Sequence, residues 1–269
     1  MHWSDLASRL APIAVMLAIF ASGMLIELLV PAERSQPLRH SLFNIIYSVL
    51  TGWFHLAAAP ILGVAATAIV NGCGGGWITL PATGGLLFVS AAVYIIAIDF
   101  MEFAFHRAQH AVPFLWALHS FHHSDPSVNI TTAVRNHWLE IPIKAIFVYP
   151  ILAILFKVPA GVLTIYAITT IWHSVNHLNV RWRVPIPWAV LNNPQYHRLH
   201  HSILPEHHNK NFSAYFPVWD ILCGTARAPQ PNQYPQTGLE GRGQPASVAQ
   251  ALIWPWSLRE PVFRMFRLR

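Results

Sequence analysis

Ten of the 16 histidines in this sequence fall into four clusters: His106-x-x-x-His110, His119-x-x-His122-His123, His173-x-x-x-His177 and His197-x-x-His200-His201. At this histidine content, chance would supply about 0.05 copies of an HxxHH pattern, yet two are present. A neutral imidazole is a common metal ligand that suits iron, zinc and copper. Residues four apart stack on one helix face, so His106/His110 and His173/His177 each aim two rings at one point. In HxxHH the first and second histidines, three apart, are expected to share a face while the third points aside. Such a triple can serve two metals, and ten imidazoles suit two ions of roughly five ligands each. No cysteine cluster competes, and no HExxH is present, which disfavours a zinc protease.

Other polar residues have expected roles around these clusters. Asp99 and Glu102 lie seven and four residues before His106 in an apolar segment. Carboxylates at such depth mark function, and a carboxylate behind a ligand imidazole fixes its tautomer, so both are expected to support His106. His137 could support the metal or face the substrate; the alternative is a capping or interfacial histidine. His207 and His208 are expected in a solvent-exposed loop, and His2, His40 and His55 are expected to be non-ligands. Asn211, Trp219 and Asp220 either line the site or, as the favoured expectation, pack and cap helix ends, and Arg135 and Glu140 are expected to pair with each other in preference to a ligand's carboxylate.

The elements that must position these residues are apolar. The chain has 269 residues, 54% hydrophobic and only 10% charged, with mean hydropathy +0.40, against roughly 25% charged in a soluble domain. Three stretches, 11–30, 45–70 and 80–105, reach the roughly 20 residues that a bilayer crossing needs. A fourth, 141–172, is broken by Lys157-Val-Pro-Ala-Gly and reads as a helical hairpin. The expected fold is an all-α integral-membrane helical bundle with a cytosolic-side, histidine-rich helical cap. Its expected parts are N-terminal transmembrane helices (1–98), a catalytic domain (99–225) containing the hairpin, and a C-terminal tail (226–269) that is either interfacial or frayed.

Charge sets the expected orientation. If loop 31–44 is cytoplasmic, all Lys and Arg except Arg9 and Lys157 fall on that side, as the positive-inside rule requires. The net charge of +6 is therefore read as topology and not as nucleic-acid binding, since no basic run carries interleaved aromatics. Glu27 within the first apolar run favours a retained span over a cleaved signal peptide. The Gly-rich loop after Asn71 lacks the Lys-Ser/Thr of a phosphate cradle and reads as an outward-facing turn. Cys73 and Cys223 fall on opposite sides, where they cannot pair. The expected location is a multi-pass protein of a bacterial inner membrane or endoplasmic reticulum, with its site facing the cytoplasm.

Both i,i+4 pairs sit where an apolar helix leaves the membrane, so a metal centre there would meet a membrane lipid from below and a reductant from the water side. Asp99-x6-His106-Arg-x-x-His110, His119-x-x-His122-His123-Ser, Arg135-x-His137-x-x-Glu140, His177-x-Asn179-Val-Arg181, His197-Arg-x-His200-His201-Ser and Asn211-Phe…Trp219-Asp220-x-x-x-Gly224-Thr225 resemble the fatty acid hydroxylase/sterol desaturase superfamily over residues 99–225. The resemblance implies a non-haem di-iron oxidoreductase that uses O2 and an external electron donor to hydroxylate or desaturate a fatty acyl, sterol or ether lipid. It makes the ten clustered histidines the iron ligands, although the family's His-x-Asn element begins at His177 and leaves His173 resting on spacing alone. The run from His122 to Arg135 is similar to the alkylglycerol monooxygenase branch, whose members use a reduced pterin. Trp138, Ser213 and Cys223 replace the Pro, Gly and Phe common in the family, changes beside the ligands. No fused haem domain is present, so electrons would come from a separate protein or cofactor. Two other classes stay open at this point: a histidine-rich membrane metal- or haem-binding protein without oxygenase activity, and a zinc-dependent membrane hydrolase.

Overall fold

A computed structural model describes residues 3–182 and 184–257; His2 and the last stretch, 258–269, lie outside the described residues. Three helices are long and apolar enough to cross a membrane: α1 (Trp3–Leu29), α2 (Leu38–Gly72) and α3 (Leu86–Ala111). They overlap the three apolar stretches of the sequence, but α2 starts seven residues earlier than expected and α3 is shifted six residues towards the C-terminus, which takes His106 and His110 inside the helix. α4 (Pro113–His123) follows α3 directly, with Pro113 in its first turn, a position where the missing N–H costs nothing.

The stretch expected to form a hairpin folds as short helical pieces. α5 (Glu140–Phe147) and α6 (Tyr149–Leu155) run one way, α7 (Ala160–Thr169) and α8 (Ile171–Asn176) return. At its tip, Phe156–Lys157 (β2) pairs in parallel with Ile78–Thr79 (β1), a two-strand contact that the sequence did not suggest. The Gly-rich loop joins this contact: Gly76 N–H meets the carbonyls of Ala153 and Ile154. The loops after α2 and in the hairpin thus occupy one end of the bundle.

All the clustered histidines occupy the other end. α9 (Pro194–His200) is started by Asn193, whose side chain accepts from Tyr196 N at 3.0 Å, and Asn129 caps the 3-10 turn Ile130–Val134 by a reciprocal pair with Thr132. Such caps satisfy helix-end N–H groups. α10 (Val218–Leu222) is tied down by Asp220, which accepts from Phe212 N, Ser213 N, Thr225 and Tyr196. Asn211 takes φ +61 and bonds Tyr196 and Arg227. The packing and capping roles expected of Asn211 and Asp220 therefore hold.

α1 is fastened to this end by Glu27, whose Oε1 accepts from Ile130 N at 2.8 Å and Asn179 N at 2.9 Å. Gly23 allows the approach, because a Cβ there would collide with the Ile130 side chain. Within the described residues the tail packs on the bundle: α11 (Val248–Leu252) and α12 (Trp254–Ser257) dock on α2 and α4; the interfacial or frayed reading of the final stretch falls largely on 258–269, outside the described residues. Tyr47, Phe121, Ala251 and Trp254 form one buried cluster, and Trp254 Nε1 donates to Ser120 Oγ at 3.0 Å. Cutting this anchor, Trp254→Ala should lower stability by roughly 3 kcal/mol, read as a lower thermal midpoint of the detergent-solubilised protein; an unchanged midpoint would mean that the tail does not brace α4.

Candidate metal centre

The histidines sort into two adjacent groups. His106, His110, His119, His123 and His200 form one, and His122, His177, His197 and His201 the other, with potential ligand atoms within 4.8 Å of one another in each. Each HxxHH motif divides between the groups. His119 and His123 join the first and His122 the second, whereas His197 and His201 join the second and His200 the first. The expectation that positions one and two of the motif act together is corrected: the i,i+4 pair shares a group and the middle histidine crosses over, because four residues bring a helix closer to a full turn than three do.

The outer nitrogens explain which way the rings face. Nδ1 of His106 donates to the Phe212 carbonyl at 2.7 Å, His200 Nδ1 to the Lys210 carbonyl at 2.7 Å, and His177 Nδ1 to the His173 carbonyl at 2.7 Å. A carbonyl only accepts, so Nδ1 holds the hydrogen and Nε2 keeps its lone pair. In the first group the Nε2 atoms of all five rings are buried without a hydrogen-bond partner. In the second, Nε2 of His177 lies 3.3 Å from that of His122 and 3.0 Å from that of His197, which is 3.2 Å from that of His201. With a bare His177 Nε2, one chain of N–H···N bonds cannot serve all three contacts. A cation takes every lone pair, and two nitrogens each about 2.1 Å from one ion sit about 3 Å apart at right angles. The donor set fits a metal ion in each group.

Burial, reinforced by neighbouring rings, holds His119, His122, His123, His197 and His201 well below the usual histidine pKa. Burial likewise puts His177 at about 4 and His200 at about 3. The rings are thus neutral, the form that ligates.

Several expected site residues stand elsewhere. His173 joins neither group; its ring packs edge-on against Tyr215, with centroids 4.9 Å apart. Asp99 accepts from Tyr215 N, Phe216 N and Trp219 Nε1, and touches no clustered imidazole. Trp219 is thereby tied to α3. Glu102 pairs with Lys144 and Tyr149. His137 Nε2 meets the Leu252 carbonyl at 3.1 Å, a bracing role for the tail. His207, expected in solvent, is buried against Ser202; His208 is half-buried. His40 and His55 bond Ser127 and the Trp138 carbonyl, away from the groups.

The carboxylate that does stand behind a clustered histidine is Glu140, which accepts from His119 Nδ1 at 3.2 Å as well as from Gln109 and His137 N. Burial pushes its carboxyl up to about 7. Its expected partner Arg135 is instead fully buried against Phe121 O, Asn44 and Ser124, clamping the end of α4 to α2. The signal for Glu140 was a single acid closing the Arg135-x-His137 motif in a chain with only 11 acids.

The fatty acid hydroxylase family model matches residues 91–225, half of the chain and the stretch that holds both groups. The chain belongs to the fatty acid hydroxylase family. It is 31% identical over 137 residues to the alkylglycerol monooxygenase of Xenopus tropicalis, covering 48% of this chain and 29% of that protein. It is 27% identical over 164 residues to ornithine lipid hydroxylase OlsE of Rhizobium tropici, 61% of this chain and 49% of that protein. With human cholesterol 25-hydroxylase it shares 30% over 140 residues, 49% of each. The chain thus matches under a third of the alkylglycerol monooxygenase and about half of the other two. No solved structure matches it.

Two outcomes follow. The purified protein should carry about two metal ions per chain by elemental analysis; His122→Ala should lower this to about one and His173→Ala leave it unchanged, whereas loss on His173→Ala would restore the tenth ligand. In metal-free protein, an unfolded chain binds protons near pH 6.5 that buried His177 and His200 refuse until about 4 and 3. Stability should therefore fall as pH drops from 7 towards 4, and thermal midpoints that stay level over that range would contradict neutral, buried rings.

Proposed function

We propose that this chain is a membrane lipid monooxygenase of the di-iron class, its nine grouped imidazoles holding the two ions. The observation that carries the reading is the two-group cage itself, with buried ring nitrogens that no protein group meets. Five and four imidazoles exceed the two axial ligands of a haem, and their gathering at one end of the bundle does not line a transport path. Bound iron would supply the redox chemistry that splits O2, so that R–H, O2, two electrons and two protons give R–OH and water.

The chain's own residues bring the lipid to this cage. A cavity of about 930 Å³ runs between α1, the hairpin and α3, lined by apolar residues such as Val15, Ile19, Phe20 and Ile168. A smaller one of about 120 Å³ holds His106, His119, His122, His177 and His197. The two share Glu102, Ala133, Asn136, Glu140, Lys144 and His173, so an aliphatic chain in the first can present one carbon to the second. Glu140 orients His119 as ligand-supporting carboxylates do, and the apolar walls keep bulk water from the reacting carbon. The cage faces the cytoplasm in this reading, where most of the basic residues lie, and a separate reductant, a protein or a reduced pterin, delivers the electrons. Residues 1–98 anchor and wall the cavity, 99–225 hold the chemistry and 226–257 brace it.

Cells that express the chain under isotope-labelled dioxygen should gain a labelled hydroxyl or its breakdown product in one membrane-lipid class. His200→Ala should cut that label to below about 1%. Zinc-loaded protein as active as iron-loaded protein, with label drawn from water, would replace this reading with a hydrolase.

A further inference from the structure

The throat between the two cavities carries a charge pair that ligand support does not use. Lys144, on α5, lines both cavities and bonds Glu102 Oε2, on α3. Tyr149 OH reaches the other Glu102 oxygen at 3.4 Å. The carboxylate is thus shared by two donors, whereas the Lys144 ammonium has three N–H groups, one hydrogen-bond partner among the described residues and, beyond it, only the Phe105 ring 5.4 Å away among the contacts of its charge. Its side chain keeps 23% exposure. Thr164 and Thr170, which also line the large cavity, bond carbonyls of their own helix. A pair that served only to join α3 to the hairpin would need one N–H and no opening. A largely buried ammonium with spare donors, open only towards the exit of an apolar cavity, calls for an acceptor from whatever fills that cavity.

Position turns this into a statement about substrate. Glu102 lies one helical turn before His106, and Lys144 one turn after Glu140, which touches His119. A turn is about 5.4 Å, the reach of a few carbon–carbon bonds. Resting on the lipid-monooxygenase reading above, we propose that Lys144, held in place by Glu102, is the positioning residue that binds an oxygen acceptor of the lipid, so that the enzyme oxidises a carbon a few bonds from a polar oxygen and discriminates against plain hydrocarbon. The long apolar tail then lies in the large cavity, towards α1 and α7, and not in the histidine cage.

The test compares full-length, metal-loaded wild type with Lys144→Arg and the double variant Glu102→Gln/Lys144→Met, which removes both charges and leaves no unpaired carboxylate. The probes are hexadecylglycerol ether and n-hexadecane, with binding read by native mass spectrometry in detergent. Wild type should bind the ether at least roughly tenfold better than the alkane, the worth of one charge-assisted hydrogen bond. The double variant should lose that preference with metal content unchanged, and Lys144→Arg should keep it. In turnover, the double variant should scatter the oxidised position along the chain. A double variant that keeps both the preference and the wild-type position overturns the assignment, as does a wild type indifferent to the ether oxygen. Lys144-dependent binding with no labelled oxygen in any lipid would instead sink the oxygenase reading and leave Lys144 as a lipid-binding residue.

Discussion

A buried imidazole nitrogen with no hydrogen-bond partner costs roughly 1–3 kcal/mol, and the first group alone buries five of them, one Nε2 per ring, in one small volume. No set of protein hydrogen bonds discharges that cost, because the rings that face each other are held by outer carbonyls and a carboxylate with their lone pairs inward. A cation at that centre would discharge it. The surrounding structure follows from this constraint: the helices exist in their observed register because rings on four separate segments must converge, and each segment is pinned by contacts that have no catalytic chemistry of their own.

Those pins are mostly polar and local. Asp99 fastens the 215–219 turn to α3, Asp220 closes the loop that supplies the Phe212 carbonyl to His106, and Arg135 clamps the end of α4 that carries His122 and His123. Each of these side chains is buried with its charge met by several partners, the condition under which buried charge is tolerable. The result is a polar cap on an apolar bundle, with a small cavity at the histidines that shares six lining residues with a larger, mostly apolar one.

Much of this was written plainly in the sequence. The three long helices and the broken hairpin were legible because hydropathy over 20 residues is a strong signal, and the histidine clusters because their spacing is improbable by chance. Partners across the fold were not. Asp99 and Glu102 share a helix face with His106, yet that rule places side chains on a face and says nothing of what meets them: the first turned to the 215–219 turn and the second to Lys144. Glu140 was passed over because its histidine lies 21 residues away on another helix. His173 had the right spacing from His177, but α8 ends at Asn176, so the two rings leave a broken turn in different directions. The buried state of His207 depends on Ser202 and on the fold of its loop, which no local pattern encodes.

The central claim is that both groups are metal sites in one protein. Anomalous diffraction from crystals of the iron-loaded protein, collected at the iron edge, tests it directly. Two peaks are predicted, one enclosed by His106, His110, His119, His123 and His200 and the other by His122, His177, His197 and His201. A single peak, or iron lying outside both rings of imidazoles, would contradict the account.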